Sequence, residues 1–234
     1  MRMITNHGLH LGTIGRPRWY ILVSGDDCKL KGWDTRTSCE APIFVNKRFE
    51  AGVTCVQTHP FIENLMAVGS YDNTVRIFDS RKMTTSLVEV GVGGGAWRVK
   101  WHPSDTRKNE LLVACMYDGF KVIKTPINES GQVDATFSSA VSSRFDAHTS
   151  IAYGVDWHHG SLTNNPTKSL VASCSFYDHT LCLWSPQGHQ RLQGKLELGF
   201  AVPSSSPIVQ EQICCQSRNL NGGLESLDEY LGSG

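Results

Sequence analysis

One pattern recurs along the chain and limits what it can fold into: an Asp at the head of a short strand. GDDCKLKGWD starts at Gly25, SYDNTVRIFD at Ser70, MYDGFKVIK at Met116 and FYDHTLCLW at Phe176. The aspartates Asp27, Asp72, Asp118 and Asp178 are each followed six positions later by Trp33, Phe78, Lys124 or Trp184. Apolar residues alternate in between, which is the period of a strand with one buried face. A short apolar run precedes each Asp, at 21–23, 65–68, 111–114 and 170–172, so each Asp turn joins two strands into a hairpin. Ahead of three hairpins lies a further strand: GVTCVQTHP closing on Pro60, GAWRVKWHP closing on Pro103, and YGVDWHH closing on His159.

The aspartates lie 45, 46 and then 60 residues apart. The first two intervals match the roughly 40–45 residues of a WD-type propeller blade, which builds four strands per repeat. Polar insertions at 128–143 and 160–168, read as surface loops, account for the third. The expected fold is all-β: a WD-repeat β-propeller of about four blades, incomplete relative to a seven-bladed ring. Such a ring would need roughly 280–315 residues at this period, and the chain has 234. The blades are assigned to 19–184. Residues 1–18 fit no blade and read as an alternative start or an added segment. Residues 185–234 read as a disordered tail, with one short amphipathic helix conceivable on Leu224, Leu227 and Leu231. An open run of blades leaves strand edges and apolar faces at its ends, so aggregation or dependence on a partner is expected.

Composition removes several classes. Lys and Arg number 22 and Asp and Glu 22, so there is no net charge and no basic stripe for a phosphate backbone. No apolar run approaches the roughly 20 residues of a membrane span, and no signal peptide is evident at the start. A cytosolic or nuclear protein is expected, with the cytoplasm the chosen compartment. The eight cysteines include no C-x-x-C pair and read as reduced thiols packed in strands. Cys214 and Cys215 adjoin no further ligands, so no metal site is assigned. GVGGGA at 91–96 resembles a dinucleotide fingerprint but runs into the strand WRVKWHP, not into a helix. No G-x-S-x-G, H-E-x-x-H or P-loop is present, and no cofactor is expected.

His59, His102 and the pair His158 and His159 fall in the turn after the first strand of a repeat, where a structural role is the plain reading. His148 precedes Asp178 by 30 residues, the spacing at which WD repeats bond a His to the turn Asp. With Ser173 or Ser175 and Trp184 it would form a buried polar tetrad. Asp27, Asp72, Asp178, His148 and Trp184 are therefore assigned structural roles.

YILVSGDDCKLKGWDTR, GGGAWRVKWHP, LLVACMYDGFKVIK and LVASCSFYDHTLCLW together resemble the C-terminal half of the WD-repeat family of diphthamide biosynthesis. These are the diphthine methyl ester hydrolases, long called diphthine methyltransferases. The resemblance runs from about Trp19 to Trp184, and the family's N-terminal half has no counterpart here. It implies removal of a methyl ester from a modified histidine on elongation factor 2, so that final amidation can follow. The implied partners are elongation factor 2 bearing methylated diphthine and other proteins of the pathway. The implied substrate carries a trimethylammonium group beside the ester, and aromatic faces hold such cations.

In a WD blade the Asp turn and the linker into the first strand open on one face. Tyr71-Asp72, Tyr117-Asp118 and Tyr177-Asp178-His179 should gather there, near Trp97, Arg98 and Tyr153. Trp97, Tyr117, Asp118, Tyr153 and Tyr177 are the candidate substrate contacts. His179 is the candidate general base and Arg98, or backbone N–H groups near Gly94, the oxyanion partner. Hydrolysis by an activated water would need no Ser or Cys nucleophile. A non-catalytic interaction scaffold and a truncated inactive isoform are the competing readings, since fold does not dictate function.

Overall fold

The computed structural model describes residues 9–10, 20–34, 36, 40–128, 130–134, 139–160, 168–186 and 191–197. Their strands form four antiparallel sheets of four, each in chain order. Blade 1 consists of β1 (Leu9–His10), β2 (Tyr20–Ser24), β3 (Leu30–Asp34) and β4 (Phe44–Asn46); blade 2 of β5 (Val53–Thr58), β6 (Leu65–Ser70), β7 (Thr74–Asp79) and β8 (Val88–Gly91). Blade 3 holds β9 (Arg98–Trp101), β10 (Glu110–Ala114), β11 (Phe120–Lys124) and β12 (Ala140–Phe145); blade 4 holds β13 (Ala152–Trp157), β14 (Val171–Ser175), β15 (Thr180–Trp184) and β16 (Arg191–Glu197). One 3-10 turn, Asp105–Arg107, interrupts the strands. The blades pack in series through β2 on β5, β5 on β9 and β9 on β13. The chain is an incomplete WD-type β-propeller in which no sheet closes on itself.

The Asp hairpins pair as expected, for example Leu65↔Asp79 through Gly69↔Val75, and Val171↔Trp184 through Cys174↔Leu181. The second strand of each central blade carries a continuous apolar run, 65–68 in β6 and 111–114 in β10, because it is buried on both faces. In β6, Leu65 and Ala67 join the core shared with blade 3, while Met66 and Val68 join the core shared with blade 1. In β10, Leu111 and Val113 face blade 2, and Leu112 and Ala114 face blade 4. Blade 4 differs: Val171, Ser173 and Ser175 are buried, but Ala172 and Cys174 on the opposite face are only partly covered. That is the uncovered blade face expected of an open run.

The fourth strand of each blade was not legible in the sequence. β12 lies partly within the 128–143 insertion, where the sequence predicts a loop, and its residues are mostly exposed. An outermost strand buries little, so no apolar alternation marks it. β16 pairs with β15 inside the stretch expected to be tail, and β1 pairs with β2 inside the stretch expected to fit no blade. Residues 161–167, 198–234 and most of 1–18 lie outside the described residues, among them the helix conceived on Leu224, Leu227 and Leu231, and Cys214 and Cys215. Cys28, Cys55 and Cys115 are free thiols, and burial pushes Cys115 up to about 12.

Where the first strand of a blade ends, neighbouring blades are joined by a repeated His–Trp contact. The His59 ring sits 4.6 Å from the Trp101 ring; its Nδ1 accepts from Phe61 N and Ile62 N, which leaves Nε2 to donate to Lys108 O at 2.9 Å. Trp101 Nε1 donates back across the interface to Gln57 O at 3.3 Å. One blade further on, His102 lies 4.6 Å from Trp157, its Nδ1 accepts from Ser104 N, and its Nε2 meets Ser169 Oγ at 2.7 Å. Trp157 Nε1 donates to Lys100 O at 3.1 Å. Burial, helped by the Arg107 charge, pushes His102 down to about 4, and burial also lowers His59. His158, at the same place in blade 4, is exposed.

Candidate functional site

The opposite ends of the first strands are stitched to the Asp turns. Val53 N donates to Gly25 O at 3.1 Å, Ala96 N to Ser70 O at 2.9 Å and Ala152 N to Met116 O at 2.8 Å, so the start of each first strand hangs on the turn of the preceding blade. The residue after each turn Asp has a left-handed backbone: Cys28 at φ 55°, Asn73 at 63°, Gly119 at 67° and His179 at 50°. Gly and Asn adopt this conformation readily, and His more readily than most other side chains. The turn itself therefore accounts for a residue of this kind at 179.

The turn aspartates are committed to their own blades. Asp27 pairs with Lys31 at 2.6 Å, and Asp72 with Arg76 at 2.7 Å while also accepting from Glu50 N. Asp118 pairs with Lys121 at 2.5 Å and Arg144 at 2.7 Å. The Lys121 bond, opposed by partial burial and reinforced by Arg144, holds its carboxyl below the usual range. Asp178 ends a hydrogen-bonded relay of serines and histidine. His148 Nδ1 meets Ser175 Oγ at 2.6 Å and Nε2 meets Ser173 Oγ at 2.9 Å; Ser173 Oγ accepts from Trp184 Nε1 at 3.1 Å, and Ser175 Oγ donates to Asp178. Burial tends to raise the Asp178 pKa, but bonds from Ser175, Thr180 and Thr149 outweigh it and hold it low. Burial lowers His148.

On this same face the structure assembles a row of aromatic rings across three blades. Tyr71, from the turn of blade 2, lies 5.6 Å from Trp97, at the start of β9. Trp97 lies 5.0 Å from Tyr153 in β13, Tyr153 lies 5.2 Å from Phe176, and Phe176 lies 4.8 Å edge-on from Tyr177 in the turn of blade 4. These separations are typical of attractive offset and edge contacts. Two glycines make room for Tyr71. A methyl on Gly52 would stand 3.1 Å from Tyr71 Cδ2, and one on Gly95 would stand 3.3 Å from Tyr71 Cδ1 and 2.7 Å from Met116 Sδ. The Arg98 guanidinium lies 5.3 Å from the Trp97 ring centre, and its Nη1 donates to Trp97 O at 3.3 Å. Tyr71 is pushed up to about 12, first by burial and then by the charge of Asp26 and by Tyr153, with Arg98 opposing.

Trp97, Arg98, Tyr153 and Tyr177 thus come together, with Tyr71. Tyr117 does not join them: it is 82% exposed and makes no ring contact with the described residues. Asp118, expected to contact substrate, is held by Lys121 and Arg144 and serves its turn as Asp72 and Asp178 serve theirs; Arg144 lies in β12, the strand the sequence did not reveal. His179 is exposed, two residues beyond Tyr177, and forms no hydrogen bond among the described residues. Phe176 was passed over because an apolar residue before a turn reads as the end of a strand. No cluster of three or more His, Cys, Asp or Glu among the described residues could hold a metal ion, and no helix there is long and apolar enough to cross a membrane.

The WD domain, G-beta repeat family model matches residues 43–79 and 139–185. The chain is 39% identical over 182 residues to a Dictyostelium discoideum protein named diphthine methyltransferase homolog, covering 71% of this chain and 46% of that protein. It is 41% identical over 133 residues to the Mus musculus diphthine methyltransferase, covering 57% of this chain and 26% of that one. The Homo sapiens diphthine methyltransferase is 38% identical over 136 residues, 57% of this chain and 28% of its own length. With its four-stranded blades and Asp turns, the chain has the WD-repeat propeller fold. It is a homologue of the proteins named diphthine methyltransferase, and it spans about half or less of the length of these curated relatives.

Proposed function

We propose that this chain carries the substrate-binding face of a methyl ester hydrolase of diphthamide biosynthesis, acting in the cytoplasm on methylated diphthine of elongation factor 2. The observation that carries the reading is the aromatic row of Tyr71, Trp97, Tyr153, Phe176 and Tyr177 with Arg98 against it. Aromatic faces bind a quaternary ammonium by their negative quadrupole, at about 0.5–2 kcal/mol per contact. Arg98 stands where a guanidinium can meet the carbonyl oxygen of an adjoining ester as negative charge develops on it. The hydrolysis is attack by water on the ester carbonyl, followed by loss of methanol and formation of the carboxylate.

A base must accept the proton of that water. On the turn face His148 is engaged by two serines, whereas His179 has no bonded partner among the described residues, so His179 takes the role in this reading. The name methyltransferase, carried by the relatives, finds no support in 91–96, because these glycines lead into β9 and not into a helix that would cradle a nucleotide cofactor. Further proteins of the pathway are the natural additional partners.

The test is mass spectrometry of elongation factor 2 bearing methylated diphthine after incubation with the chain, beside a full-length relative. Loss of one methyl, with methanol released, is the expected result. Retention of the ester beside an active relative would contradict the reading for this chain.

A further inference from the structure

We propose that Asp26 makes one end of the aromatic row selective for cations, so that a quaternary ammonium is seated against Tyr71 and the ester is directed toward Arg98. The inference rests on the reading of the row as a ligand site and adds an orientation to it.

Asp26 belongs to blade 1, which contributes no ring to the row. Its turn is nevertheless fixed beside Tyr71. Val53 N bonds Gly25 O at 3.1 Å, and Tyr71 N bonds Gly52 O at 2.9 Å, so Gly52 lies between the two turns. A methyl placed on Gly52 would stand 3.0 Å from Asp26 Oδ1, 3.1 Å from Asp26 Cα and 3.1 Å from Tyr71 Cδ2. The carboxylate and the ring edge therefore flank the same glycine, and only a residue without a side chain leaves room for both. The charge of Asp26 is also among the causes that keep the Tyr71 hydroxyl protonated.

Asp26 is moreover the surplus acid among the turn aspartates. Asp27, Asp72, Asp118 and Asp178 are each engaged by a base or by hydroxyls of their own blade. The Asp26 side chain is exposed and has no ion pair or hydrogen bond among the described residues. The turn needs one acid and the sequence GDDC supplies two. At Trp97, by contrast, a ligand cation would meet the guanidinium of Arg98. Attraction at Tyr71 and repulsion at Trp97 give the row a polarity that matches a substrate with a cation and an ester side by side.

The experiment titrates the chain with two probes, followed by ligand-observed NMR. Trimethylglycine methyl ester carries the cation; methyl 3,3-dimethylbutanoate is the same shape with carbon in place of nitrogen. The cation is expected to bind about tenfold more tightly, Asp26→Asn to remove that preference while leaving the neutral probe unchanged, and added salt to weaken the preference. Asp27→Asn, which breaks the pair with Lys31, is the control for turn integrity and should leave the preference intact. Equal binding of both probes, or a preference that survives Asp26→Asn, overturns the role of Asp26 while the row remains a ligand site. Binding of neither probe overturns the row itself, and this inference with it.

Discussion

Trp97 and Trp101 stand four residues apart, one just before β9 and one at its end, and they do opposite work. Trp101 is 4% exposed, in tilted contact with the His59 ring and bonded to Gln57 of the preceding blade. Trp97, at the other end, is half-buried, with Tyr71 and Tyr153 on either side and Arg98 over its ring. The same division recurs in β13, where Trp157 joins His102 and Tyr153 joins the row. One end of the first strands holds the blades together, and the other gathers the rings and charge that the proposed function assigns to a ligand. Residue type does not separate the two ends; the degree of closure around each ring does.

The largest effect that would break this comparison is on stability. Trp101→Ala removes a fully packed ring and strands His59, and a cost of about 3–5 kcal/mol is expected. Trp97→Ala should cost clearly less, because part of its surface already meets solvent, yet it should remove ligand binding. Denaturant melts of both variants, run beside the probe titration, check the pair. Equal destabilisation would mean that the row is merely another structural seam.

Next in size is acid sensitivity. His59, His102 and His148 all have folded pKa values below the ordinary 6.5, because burial disfavours the imidazolium. The unfolded chain then binds more protons than the folded one, so stability is complete above about 6.5 and is lost as pH falls through that value. For His102 the loss continues down to about 4 and amounts to on the order of 2–3 kcal/mol. His102→Gln should flatten that part of a stability–pH profile; an unchanged slope would show that His102 does not control it.

The smallest effect separates turn chemistry from catalysis at His179. Asn73 and Gly119 hold the same left-handed position in neighbouring blades, so His179→Asn should change stability by under about 0.5 kcal/mol, whereas His179→Ala should cost about 1 kcal/mol in backbone strain. Both should abolish ester hydrolysis. Full activity of His179→Asn would reduce His179 to a turn residue.

Legibility in the sequence followed burial. The Asp hairpins stood out because their strands pack on both faces and end in a turn with fixed chemistry. The outer strands did not: β4 has three residues and β12 is mostly exposed, so no apolar period marks them. His148, Ser173, Ser175 and Trp184 could be grouped by spacing because all four belong to one repeat. The pairing of Asp118 was not legible because one of its partners, Arg144, sits on such an outer strand. The gathering of Trp97, Tyr153 and Tyr177 was legible because all three fall at the turn ends of their blades. Asp26 was hidden beside Asp27, which satisfied the expected role, and Phe176 was hidden by its likeness to the end of a strand.

The central claim is that the turn ends of the inner strands form the working site. The most direct measurement is the mass of methylated diphthine on elongation factor 2 after incubation with Trp97→Ala, beside the unaltered chain, once both have been shown to be folded by the same melt. Loss of one methyl with the unaltered chain and none with Trp97→Ala is the predicted result. Equal loss with both would contradict the account and place the chemistry elsewhere on the blades.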